Sequence, residues 1–178
     1  VPTLQQVAAD IRRFARNLLG QGVHARQLTE LISHLNDVLT ERLVTLIAAQ
    51  RSIDLTRVCW LAFGSEGRSE QTIATDQDNG IVFTSDQPQQ VNEALDVCGY
   101  PLCKGNVMAS NPDCCLTQAE WLERFADWID HGAPEDLLNA SIYFDLRALA
   151  GATALTPPMR ELVATQSARN ARFMKQMA

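Results

Sequence analysis

Apolar residues at the start of the chain recur at three- and four-residue steps. Leu4, Val7, Ile11, Phe14, Leu18 and Leu19 make one stripe; Leu28, Leu31, Ile32, Leu35, Val38, Leu39, Leu43, Leu46 and Ile47 make a second, longer one. This period predicts two amphipathic helices, separated at Gly20 and Gly22 and packed as a hairpin or against the next domain. Thr29 or a neighbour is the expected cap of the second, and His24 and His34 are expected on its solvated face. The pattern then changes. Residues 58–63 (Val-Cys-Trp-Leu-Ala-Phe) are a short continuous apolar run, as in a buried strand. A polar stretch, Gly64-Ser65-Glu66-Gly67-Arg68-Ser69-Glu70, leads to a second expected strand over 79–83. A helix over 91–97 and a third strand over 102–108 come next. From Thr117 the chain reads as helix again: Thr117-Gln118-Ala119-Glu120 has the form of a capping box, ahead of the apolar face Trp121, Leu122, Phe125, Trp128 and Ile129. Further helices are expected over 137–149 and 159–177.

This order predicts an α+β fold: a small mixed sheet flanked by an N-terminal helical hairpin and a C-terminal helical bundle. The expected division is a helical segment over 1–52, an α/β core over 53–116 and a helical subdomain over 117–178. A length of 178 residues suits that plan. The net charge of -6 argues against a general nucleic-acid partner, which needs clustered Lys and Arg. No apolar run reaches the ~18 residues that a bilayer span requires. There is no secretory signal, which makes the cytoplasm the expected location, and a first residue of Val1 suggests a fragment or a processed chain. The five cysteines, Cys59, Cys98, Cys103, Cys114 and Cys115, are odd in number and irregularly spaced, with no C-x-x-C knuckle. Reduced thiols are expected rather than a disulfide framework or a zinc site.

The chemistry concentrates between the first two strands. Gly64 at a strand end lets the backbone approach a phosphate, and Ser65 adds a hydroxyl. Arg68 offers a planar cationic fork. Asp76 and Asp78 stand two apart at the start of the next strand, so both carboxylates project to one face. Two close carboxylates repel, and a divalent cation relieves the repulsion. Mg²⁺ takes oxygen ligands and shares them with substrate phosphates, so the combination suits metal-assisted phosphoryl or nucleotidyl transfer. Each feature alone is commonly structural. Asp76-Gln77-Asp78-Asn79-Gly80 could be no more than a polar turn, since Asn-Gly is a frequent hairpin signal. The joint order is far more specific.

Phe63-Gly64-Ser65-Glu66-Gly67-Arg68-Ser69-Glu70 followed by Thr75-Asp76-Gln77-Asp78-Asn79 resembles the signature of the DNA polymerase beta-like nucleotidyltransferase superfamily. More closely, it is similar to the bacterial nucleotidyltransferase family found downstream of cyclic-nucleotide-binding and paired CBS domains. That family is itself similar to the uridylyltransferase of the nitrogen-regulatory signal protein and to glutamine synthetase adenylyltransferase. Residues 99–112 resemble the family's second block, and Ser141-Ile142-Tyr143-Phe144-Asp145-Leu146-Arg147 its third.

The resemblance implies that Gly64 and Ser65 hold the β- and γ-phosphates of a nucleoside triphosphate (NTP) and that Arg68 neutralises phosphate charge. Asp76 and Asp78 would be the catalytic pair, binding Mg²⁺, with Mn²⁺ as a substitute. Glu70 is either an orienter of Arg68 or a surface residue. The implied reaction is attack on the α-phosphorus with release of pyrophosphate, in a cytoplasmic signal-transduction protein that carries upstream regulatory domains. A protein side chain is the candidate acceptor, and a homodimer through the Leu28 to Ile47 stripe is a candidate assembly. The alternative is a nucleotide-binding regulatory module without turnover.

Two departures stand out. The superfamily's third carboxylate has no evident counterpart. The expected strand over 102–108 carries Lys104 and Asn106, flanked by Asp96 and Asp113, and Asp145 reads as an ion-pair partner of Arg147 or of another helix. The stretch from Phe83 to Gly99 is also short for the family, and the family's helical region would continue past Ala178.

Overall fold

A computed structural model describes residues 2–72, 78–84, 107–109 and 111–178. Helices α1 (Pro2–Gly20) and α2 (Ala25–Arg51) form the hairpin that the apolar stripes require. Ala15 of α1 packs on Leu28 and Ile32 of α2, while Phe14, Leu19 and Val38 stay exposed. Thr29 is not the cap of α2: His24 takes the N-cap position, without a side-chain cap bond. His24 and His34 are exposed, as a solvated face requires. α2 ends at Ser52 in a left-handed conformation, φ 54° and ψ 38°, whose N–H donates to the Ala48 carbonyl.

The sheet contains β1 (Val58–Ala62), β2 (Asn79–Phe83), β3 (Cys115–Thr117) and β4 (Arg147–Gly151) in the order β3-β2-β1-β4. β1 runs antiparallel to both β2 and β4, and β2 runs parallel to β3. All of β1 is buried because both faces are covered. Alternation sends Cys59, Leu61 and Phe63 to one side and Val58 and Trp60 to the other. Val58 and Trp60 meet Leu43, Val44 and Ile47 of α2. Cys59, Leu61 and Phe63 meet Trp121, Phe125, Trp128, Tyr143 and Met159.

The C-terminal helices are α4 (Gln118–His131), α5 (Pro134–Tyr143), α6 (Pro157–Arg169) and α7 (Ala171–Met177); α3 is the single turn Gly64–Gly67. The capping box is present: Glu120 N–H donates to Thr117 Oγ1 at 3.2 Å, and Thr117 N–H donates to Glu120 Oε2 at 2.7 Å. The Trp121 indole N–H donates to the Ile81 carbonyl at 2.9 Å, which fixes α4 to the sheet.

The chain is thus a mixed α+β fold with an N-terminal helical region, a small mixed sheet and a C-terminal helical bundle. Two elements differ from the sequence expectation. The helix expected over 137–149 ends at Tyr143, and 147–151 is a strand. Arg-Ala-Leu-Ala-Gly has good helix formers, but pairing with β1 overrides local propensity. The last helix is interrupted at Asn170, whose side chain accepts from Phe173 N–H and donates to the Ile129 carbonyl. Of the strand expected over 102–108, only Val107 and Met108 are described, and neither is in a strand. β2 pairs with the three residues of β3. The helix expected over 91–97 lies outside the described residues.

Candidate functional site

The end of β1 is built around a glycine. Phe63 is extended, at φ -120° and ψ 172°, and Gly64 turns into the left-handed region at φ 50°. That conformation favours glycine. Space requires it as well, because a Cβ at Gly64 would lie 2.9 Å from the Asp78 Oδ2 atom. Phe63 N–H donates to the Asp78 carbonyl at 2.8 Å. The backbone of Asp78 is therefore pinned to the end of β1, and its carboxylate is placed against the Gly64 turn. Gly67 N–H donates to the Phe63 carbonyl, Arg68 N–H to the Gly64 carbonyl and Glu70 N–H to the Ser65 carbonyl. Gly67 leaves no room for a side chain either: a Cβ there would fall 1.8 Å from the Asp145 carbonyl oxygen. Ser65 is half-buried on the same turn.

Two arginines organise the charges. Exposed Arg68 donates through Nε to Glu70 Oε2 at 2.8 Å and through Nη1 to Asp145 Oδ2. These hydrogen bonds, to Glu70 first and then Asp145, hold its guanidinium further above its ordinary pKa. Arg147 makes a bidentate pair with Asp37 of α2, both bonds at 2.9 Å. Its remaining donors reach backbone oxygens of the turn, Nη2 to Glu66 at 2.8 Å and Nε to Gly67 at 3.3 Å. Glu66 itself is 1% exposed, and its Oε2 atom has no hydrogen-bond partner among the described residues. Burial first, then the Asp37 carboxylate and more weakly that of Asp78, push Glu66 up to about 8, against the opposing pull of Arg147.

The turn thus has a cation at its close and a carboxylate at its start. Arg68 closes the glycine turn, and a carboxylate oxygen of Asp78 faces the same turn. Hard oxygen donors next to a bound phosphate would suit a divalent cation shared with it. Asp78 fits that role in position and chemistry. Asp76 lies outside the described residues. Among the described residues no group of three or more His, Cys, Asp or Glu side chains converges as a metal-ligand cluster.

Of the residues singled out in the sequence, Gly64 and Asp78 come together at the end of β1, Ser65 lies on the same turn, and Arg68 closes it with its side chain directed to Glu70 and Asp145. Glu70 does bond Arg68. Asn79-Gly80 is not a hairpin turn. Asn79 opens β2 and is buried, with its Oδ1 accepting from Ala109 N–H at 2.8 Å. Of the two ion pairs expected for Asp145, the one with Arg147 does not form: Asp145 pairs with Arg68 at the C-cap of α3, and Arg147 takes Asp37. Asp113 is occupied near Arg124, 3.8 Å away. Asp96, Tyr100, Lys104, Asn106, Cys98 and Cys103 lie outside the described residues. Burial pushes the Cys59 and Cys115 thiols up to about 12, so both stay protonated. Sequence reasoning missed Asp37, because nothing local links it to a residue 110 positions later. It also passed over Glu66, which reads as one more polar residue in a polar stretch.

No helix among the described residues is long and apolar enough to cross a membrane. No curated protein matches the chain. A family match does cover most of it, spanning residues 9–135 and therefore α2, β1, the Gly64 turn, Asp78, β2 and α4 together. By that match the chain belongs to the family described as "Putative nucleotidyltransferase DUF294".

Proposed function

We propose that this chain is a Mg²⁺-dependent nucleotidyltransferase that moves a nucleoside monophosphate from an NTP to an acceptor hydroxyl. The observation that carries the reading is the Asp78 carboxylate against the Gly64 turn, with its Oδ2 2.9 Å from where a Cβ on Gly64 would stand. In this proposal Gly64 and Ser65 receive the terminal phosphates, and Arg68 leaves Glu70 and Asp145 to take a phosphate oxygen. Asp78, with Asp76, holds the cation. Bound there, Mg²⁺ would neutralise triphosphate charge and polarise the phosphorus under attack. The helices after residue 117 would face the acceptor, with a protein side chain as the candidate. Upstream regulatory domains and a cytoplasmic setting belong to the same proposal, as do a homodimer through the N-terminal helices and the division at residues 52 and 116.

One observation favours a second reading, a module that binds a nucleotide without turning it over. Asp145, the acid that the later chain brings beside the turn, is the ion-pair partner of Arg68, a role that orients the arginine and activates no acceptor. The test is calorimetric titration of the four NTPs against the chain, each with and without Mg²⁺. Binding of one triphosphate that requires Mg²⁺ supports both readings, and pyrophosphate release with a labelled acceptor then selects the enzyme. No Mg²⁺-dependent binding of any triphosphate removes both.

A further inference from the structure

α2 touches the turn at two places. Ser33, Asn36 and Asp37 stand three and four residues apart, on one face of the helix. Buried Ser33 accepts through Oγ from Gln71 N–H at 3.0 Å. Asn36 Nδ2 donates to Gln71 Oε1 at 3.3 Å. Asp37 holds Arg147, and Arg147 holds the Glu66 and Gly67 carbonyls. The segment 66–71 is thus fixed at its start and at its end by the same helix face. Arg68 lies between the two fixings, as does Ser69, whose φ of 58° is strained for a residue with a side chain. The first half of α2 packs on α1 through Leu28 and Ile32, and the second half enters the core under β1 through Leu43, Val44 and Ile47.

We infer that α2 is the positioning element of the nucleotide site: Ser33, Asn36 and Asp37, with Arg147 as the bracket, set the conformation of residues 66–71, so that the N-terminal hairpin controls whether Ser65 and Arg68 are in place for an NTP. The inference rests on the proposed function for its consequence, but not for its geometry. The pattern of contacts favours positioning over bulk stability. The Arg147 and Asp37 side chains keep 29% and 20% exposure, a setting in which an ion pair adds little net stability. What the bidentate fork does supply is direction, because a planar guanidinium can bond a carboxylate and two carbonyls only in one orientation. A shift of α2 against the core would carry both ends of the turn with it. A signal that moves the hairpin would therefore reach the site without touching the nucleotide.

The experiment is hydrogen exchange on the full chain, read at the amides of 67–71 and at those of α4, alongside NTP titration with Mg²⁺. The variants are Asp37→Asn, Arg147→Lys and the milder Ser33→Ala, with Asp37→Glu as the conservative control. The expected result is exchange at 67–71 faster by about 10-fold or more, α4 unchanged, and triphosphate affinity lower by about 10-fold, as for residues that orient a binding group from behind. Asp37→Glu should recover part of both. Unchanged exchange at 67–71 in Ser33→Ala and Asp37→Asn overturns the inference, as does a loosened turn with unchanged affinity. Should the unmodified chain bind no triphosphate, the proposed function falls, and the exchange data alone support or overturn the positioning role.

Discussion

β1 divides two regions built on opposite principles. On one side Phe63, Trp121, Phe125, Trp128, Tyr143 and Phe144 pack ring against ring, with centroids 4.8–6.4 Å apart. At the end of the same strand, Asp37, Glu66, Arg68, Asp78, Asp145 and Arg147 are held by charge and hydrogen bonds. Burial of apolar area is non-directional and tolerant, so the aromatic side stabilises without demanding one partner per residue. The polar side is the reverse: each group needs a specific partner, and a buried carboxyl such as Glu66 is costly. The first region is held by apolar packing, the second by specific pairs of charged and polar groups.

The largest break in that comparison is Phe125→Ala. Phe125 is fully buried and meets Phe144 edge-on at 5.1 Å. Its truncation should cost about 3–5 kcal/mol in denaturant unfolding, a typical value for a buried Phe. Triphosphate affinity of the molecules that remain folded should hold within about twofold, since the cavity lies away from the turn.

The opposite break is Asp76→Asn with Asp78→Asn. Mg²⁺-dependent triphosphate binding should fall by at least about 100-fold, beyond the loss seen for residues one step removed from a metal. The melting temperature should not drop. Retained MgATP affinity in calorimetry would remove the basis of the site.

Gly64→Ala tests the seam between the regions. A left-handed non-glycine residue costs about 1 kcal/mol, and the new Cβ would press on Asp78 Oδ2. Binding should therefore weaken more than stability does, by about 10-fold in the same titration, if the displaced carboxylate is part of the site.

The smallest effect is a pH slope. Glu66 ionises near its ordinary value in the unfolded chain but only at about 8 in the fold. Between those values the folded state holds a proton that the unfolded state has lost, so stability falls as pH rises and levels off above about 8. Glu66→Gln should flatten that slope. Thermal melts from pH 5 to pH 9 should show the variant gaining progressively on the parent as pH rises.

The two regions also differed in how legible they were. The aromatic side was plain in the sequence, because the spacing of Trp121, Phe125, Trp128 and Ile129 and the Thr117 capping box are local signals. The Gly64-Ser65-Arg68 turn and its approach to Asp78 were legible too, since strand, glycine turn and returning strand are close in the chain. What was hidden was long-range. Arg147 sits shortly after the end of α5 in a run of helix formers, and only pairing with β1 makes it a strand residue whose side chain reaches Asp37. Nothing in the run Ser33 to Asp37 marks those residues as anything but the polar side of a helix. Their importance appears only when Gln71 and Arg147 arrive from elsewhere in the chain.

The central claim, that a metal-bound triphosphate sits at the end of β1, is tested most directly by using Mn²⁺ as the divalent ion and reading paramagnetic broadening of assigned amides by NMR, with ATP, GTP, CTP and UTP in turn. One triphosphate is expected to bring Mn²⁺ to the site and to broaden Gly64, Ser65, Arg68 and Asp78 strongly, while α6 and α7 stay sharp. Broadening centred elsewhere, or no triphosphate-dependent broadening at millimolar concentrations, contradicts it.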